Sequence, residues 1–152
     1  MSIGIIIYGI VLFICIANTS RMDDLLAKSI MWTQVVLIGL FVADIELLEI
    51  WVLVLYLLTL PAIIVYAIIK KHLLRTDKVL MTLSATFVLL ANIFRIQHLN
   101  GEDILQLFGL LSIVALFLLI LKGTNKVYNE IGFMFILAVV SAYDYINFLA
   151  GA

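Results

Sequence analysis

The side chains of this chain that could do chemistry are few, and they sit near the ends of long apolar runs. Asp144 lies between Tyr143 and Tyr145 toward the end of the last run. An ionisable group inside an apolar span is expensive and marks a functional candidate. Counted from Ile131 at 1.5 Å per residue, Asp144 falls roughly 20 Å along a helix. That carboxylate is either a proton- or cation-binding group or an interfacial acid in contact with water or paired with Arg95. Arg95 closes the fourth run, on the side that otherwise carries no basic residue. A counter-charge should hold it there: Asp144, Glu102, Asp103 or a phosphate headgroup. The expectation is that Arg95 and Asp144 meet at the outer face, in a structural role.

The remaining polar candidates have plainer readings. Asp44, Glu46 and Glu49 offer three carboxylates that a hard cation would accept, but a solvated chain reversal looks the same. His72, beside Lys70 and Lys71, reads as part of a basic loop facing lipid headgroups. His98 reads as a turn residue bonding a hairpin end. Haem is excluded as a cofactor because the two histidines, His72 and His98, fall on opposite sides. Pro61 removes a backbone hydrogen bond and should kink its helix, with Thr59 near enough to satisfy the freed group, so it is the one hinge candidate. Gln34, Asn92 and Asn147 can bond between helices, and the pairs Gly39 and Ala43, Ala138 and Ala142 allow close helix contact. Cys15 is the single cysteine, so no internal disulfide forms. No phosphate-cradling glycine loop, metal-ligand spacing or nucleophile elbow is present, and no cofactor or metal is expected.

The elements that position these groups follow from composition. Of 152 residues, 66% are hydrophobic and 12% charged, and the mean hydropathy is +1.27. Soluble domains are nearer half apolar and a quarter charged, so lipid must cover what the interior cannot. Six apolar runs stand out, over about residues 3–17, 30–48, 51–69, 79–96, 104–121 and 131–149. Spans need about 20 residues each. Helices are the form that satisfies every backbone group in hydrocarbon, and the runs lack the alternation of a barrel strand. The expected fold is all-α, one polytopic domain of six transmembrane helices. The first run has no basic residue before it and reads as a retained span rather than a cleaved leader. The second and third runs nearly merge, and a 60 Å helix would overshoot the bilayer about twofold. A reversal is therefore expected among Asp44, Glu46 and Glu49.

The connections alternate in charge. The first, third and fifth carry Arg21, Lys28, Lys70, Lys71, Arg75, Lys78, Lys122 and Lys126, eight of the nine basic residues. Short loops rich in Lys and Arg stay cytoplasmic, which puts both ends of the chain outside. A net charge of −1 gives no argument for nucleic-acid binding.

The stretch Phe94-Arg95-Ile96-Gln97-His98-Leu99-Asn100-Gly101, followed by Gly109-Leu110-Leu111, resembles the membrane hairpin of GldL, the inner-membrane motor subunit of gliding and type IX secretion in Bacteroidetes. That family places Phe-Lys-Ile-Gln-His-Trp-Pro-Gly between two helices and then Gly-Leu-Leu-Thr-Glu. Arg95 stands for the lysine; Ile96, Gln97, His98 and Gly101 match; Leu99 and Asn100 replace the Trp-Pro pair. The resemblance covers residues 94–121 and implies a hairpin opening to the periplasm, with Gln97 and Gly101 in its turn. The family's proton-motor glutamate falls on Ile113, which carries no proton, so the resemblance implies the turn without the motor. Gly101 would supply a positive-φ position there.

Three functional classes follow. The first is a non-enzymatic subunit or scaffold of a bacterial inner-membrane complex, partnered by lipid and by other membrane subunits or copies of itself. It is suggested by short loops and an interior almost empty of ionisable groups. The second is a small transporter or channel, with Pro61 as hinge and Gln34, Asn92, Arg95 or Asp144 lining a path. It requires polar residues of several helices to converge on one cavity. The third is a lipid-modifying enzyme built from His98, Asp144 and a further acid at the outer face.

Overall fold

The computed structural model describes residues 3–43, 49–71, 73–97, 101–122 and 128–151. All regular structure among the described residues is helical: α1 (Ile3–Thr19), α2 (Leu25–Val42), α3 (Glu49–Ile69), α4 (Arg75–Ile96), α5 (Glu102–Gly109), α6 (Leu111–Lys122) and α7 (Tyr128–Gly151).

α2 and α4 start four or more residues earlier than hydrophobicity alone indicates, and local chemistry accounts for both. α2 begins at Leu25 rather than residue 30 because Asp24 caps it. The Asp24 Oδ1 accepts the backbone N–H groups of Leu26 at 3.0 Å and Ala27 at 3.1 Å, and the Asp24 carbonyl accepts that of Lys28. Such a cap satisfies donors that the first turn leaves bare. α4 begins at Arg75 rather than residue 79. Asp77 in its first turn complements the helix dipole, and Lys78 Nζ donates to the Ile68 carbonyl at the end of α3, 3.0 Å away.

The fifth apolar run is not one helix. It divides at Leu110 into α5 and α6. Around the division the backbone bonds shorten to three-residue steps, Leu110 N–H to Leu107 O and Ile113 N–H to Leu110 O, and the Ser112 hydroxyl donates to Gly109 O at 2.8 Å. A glycine–serine pair is a recognised cause of such a break. α3, in contrast, continues unbroken through Pro61. The Thr59 hydroxyl donates to Tyr56 O, not to the Leu57 carbonyl that the proline ring leaves without a donor. The expected repair by Thr59 is therefore not made. α2 ends at Val42 and α3 begins at Glu49; of the three acids among which a reversal is expected, Asp44 and Glu46 lie outside the described residues.

Contacts fix which helix ends share a face. Lys70 at the end of α3 bonds Asp24 before α2, the Tyr66 hydroxyl of α3 donates to Glu130 Oε1 on α7, and Asn18 of α1 lies against Gly132. At the opposite end, Tyr8 of α1 meets Tyr143 of α7 and Arg95 of α4 meets Asp144. The connections α1–α2 and α3–α4 and the start of α7 thus share one end.

Polarity runs inside out. Gln34, Thr59, Ser84, Asn92, Gln106, Ser112 and Glu130 are buried, while Phe13, Trp51, Phe117 and Leu121 are among the most exposed side chains. The exposed hydroxyls of Ser29 and Thr33 donate to the carbonyls one turn back, which keeps them satisfied without water. Three helical stretches, Trp51–Ile69, Arg75–Ile96 and Ile104–Leu121, are long and apolar enough to cross a membrane, with a third or less of each window buried inside the protein. The apolar stretches Ile6–Thr19 and Leu25–Leu40 are shorter.

Candidate functional site

The site is assembled by helical periodicity. Asn92 and Arg95 are three apart on α4 and share a face, as do Val52 and Tyr56 on α3 and Val140 and Asp144 on α7. Together with Tyr8 of α1 and Leu37, Ile38 and Leu53, these residues line a cavity of about 380 Å³, a size within the small-ligand range. Five helices contribute to it. Asn92 is anchored by its Nδ2, which donates to Val88 O at 2.8 Å. Tyr8 packs edge-on against Tyr143 with ring centroids 5.1 Å apart, steadying the turn of α7 that presents Asp144.

Arg95 Nη1 donates to Asp144 Oδ1 at 3.0 Å, the pairing expected from the sequence. The two partners are buried unequally: the Arg95 side chain is 42% exposed and that of Asp144 18%. The Tyr56 hydroxyl is buried in the cavity wall with no hydrogen-bond partner. One turn deeper, Gln34 Nε2 donates to Thr59 Oγ1 at 3.1 Å, and the Gln34 Oε1 is without a partner. Beneath that pair, Met31, Leu60 and Ile63 are fully buried and close the interior.

A second polar cluster lies at the other end. Lys70 joins Asp24 and stands 5.4 Å from the centre of the Tyr66 ring, whose hydroxyl donates to the fully buried Glu130. Tyr66 also packs edge-on against Phe133. Burial raises the Asp24 pKa, but the Lys70 ammonium and the N–H groups of Ala27 and Leu26 outweigh it, holding the carboxyl below its ordinary value. This cluster corrects the expectation of an interior almost empty of ionisable groups, since Glu130 and Asp77 are buried as well. Glu130 precedes the sixth apolar run by one residue and was not singled out. Tyr8 and Tyr56 were not singled out either, because a tyrosine in an apolar run looks like packing until its hydroxyl is placed.

The other expected residues are dispersed. Gly101 has φ +98° and precedes α5, the positive-φ turn position expected of it. Gln97 ends α4 through its N–H to Ile93 O. His98 and His72 lie outside the described residues, and Pro61 faces outward, away from the cavity lining. Gly39 makes no close contact, whereas Gly132 does: an added Cβ would meet Asn18 Nδ2 at 2.5 Å and Met22 Cε at 2.8 Å. Among protein-family models, curated proteins and solved structures, none matches this chain.

Proposed function

We propose that this is a non-enzymatic integral membrane protein that binds a small solute in the cavity closed by Arg95 and Asp144, as a small transporter or channel does. One observation carries the reading: Tyr8, Tyr56, Asn92, Arg95 and Asp144, from four different helices, converge on a single cavity. A scaffold needs close-packed helix faces, not a cavity into which four helices turn polar side chains. In this reading the α5–α6 pair counts as one crossing, so the chain crosses the bilayer six times. The basic connections face the cytoplasm, and the cavity opens toward the outer face of a bacterial inner membrane.

The test is a thermal-stability screen of the purified protein against amines, amino acids, organic acids and neutral alcohols. It is run beside Val52→Trp, which fills the cavity. A solute class that stabilises the native protein and not the filled variant supports the reading. Equal stabilisation of both, or of neither, overturns it.

A further inference from the structure

The cavity's chemistry goes further than the presence of a site, and the next step rests on the solute-binding reading above. We infer that the cavity takes an amphipathic organic cation, its charged nitrogen against Asp144 and its apolar body against Leu37, Ile38, Val52 and Val140.

The sign of the charge follows from the unequal burial of the ion pair. A charged ligand competes with one member of the Arg95–Asp144 pair for the other, and the protein must tolerate the partner whose bond is weakened. An anion on Arg95 would strand Asp144, the more buried member, in apolar surroundings, where an unpaired charge is costly. A cation on Asp144 strands only Arg95, whose head is already 42% exposed and can turn toward water or lipid phosphate. The walls fit the same ligand. The rings of Tyr8 and Tyr56 line the cavity, and their faces attract a cation. The Tyr56 hydroxyl is enclosed, so the part of Tyr56 offered to a ligand is its ring. Apart from Asn92, the remaining lining is aliphatic, which suits an apolar body and not a free metal ion with its hydration shell.

The experiment measures binding by calorimetry to the full-length protein in lipid nanodiscs. The probes are benzylammonium, its quaternary analogue benzyltrimethylammonium, neutral benzyl alcohol and anionic benzenesulfonate. Both cations should bind, and the other two should bind at least about tenfold more weakly, the scale of one charge-assisted contact. Asp144→Asn should lower cation affinity by a similar factor, while Arg95→Gln, which removes the competing guanidinium, should raise it. Asp144→Glu guards against misfolding as an explanation, because it keeps a carboxylate at the same position. It should bind both cations more tightly than Asp144→Asn does.

Preferential binding of benzenesulfonate, lost in Arg95→Gln, would overturn the cationic class and leave the cavity reading standing. Cation binding unaffected by Asp144→Asn in a folded variant would overturn it as well. Absence of binding by all four probes would also overturn it; the cavity reading itself would then stand or fall by the Val52→Trp comparison.

Discussion

At the scale of single residues, the Arg95–Asp144 contact is intermediate between a surface ion pair and a buried one, because Asp144 is largely enclosed and Arg95 is not. Exposed pairs contribute about 0–1 kcal/mol, and breaking fully buried ones costs about 3–5 kcal/mol. Asp144→Ala should therefore destabilise the protein by about 1–2 kcal/mol, with positive coupling to Arg95→Ala in a double-mutant cycle read by thermal unfolding. Asp24 makes a different prediction. Its folded carboxyl is held below the ordinary value, so its contribution to stability is full above the unfolded pKa, near 4, and is lost as pH falls through the lower folded value. Unfolding midpoints measured between neutral pH and pH 3 should fall less steeply in Asp24→Asn than in the parent. Asp24→Ala, which also removes the cap, should lose about 0.5–2 kcal/mol at neutral pH. The Arg95–Asp144 pair was legible in the sequence because a basic residue isolated from the other eight needs a counter-charge and few acids were within reach. The Tyr66–Glu130 bond was not, since the two residues are 64 apart in sequence and neither alone signals a partner.

At the scale of elements, the close approaches among the described glycines are made by Gly109 and Gly132, not by Gly39. An added Cβ at Gly109 would stand 3.3 Å from the Ser141 hydroxyl and 3.8 Å from Val88, where the α5–α6 division meets α4 and α7. At Gly132 the crowding is greater. Gly132→Ala should lower stability by about 1–3 kcal/mol through overpacking, and Gly109→Ala by less; thermal unfolding of the two variants gives the ranking. A larger loss at Gly109 would mean that its backbone freedom at the division, and not its lack of a Cβ, is what matters. The division itself was hidden in the sequence because Leu110 and its neighbours are as apolar as the rest of the run. Helix starts were mislaid for a related reason: hydrophobicity marks where lipid begins, whereas Asp24 satisfies the first backbone donors of α2 and Asp77 complements the dipole of α4.

At the scale of the whole molecule, the alternation of basic and acidic connections gives an orientation that can be checked directly. With Cys15 replaced by serine, a cysteine introduced at Lys71 should resist an impermeant thiol reagent in intact cells, and one introduced at Ser2 should react. The reverse pattern would invert the proposed topology and place the cavity mouth at the cytoplasm. The same scale accounts for the cavity. Tyr8, Tyr56, Asn92 and Asp144 are spread over the length of the chain, and only the antiparallel packing of α1, α3, α4 and α7 brings them to one depth at one end.

The amino-acid order alone determined the helical class, the apolar character of the runs, the side on which basic groups gather and the positive-φ turn at Gly101. Each of these depends on composition or on residues within a few positions of one another. Tertiary structure decided which polar side chains face inward together, that Arg95 is the looser partner and Asp144 the enclosed one, and that the Tyr56 hydroxyl is left without a bond. Nearly every helix here is apolar on all sides, so no stripe of polar residues announces its inner face. Which flank turns inward is settled by packing against the other helices, a property that no single segment carries.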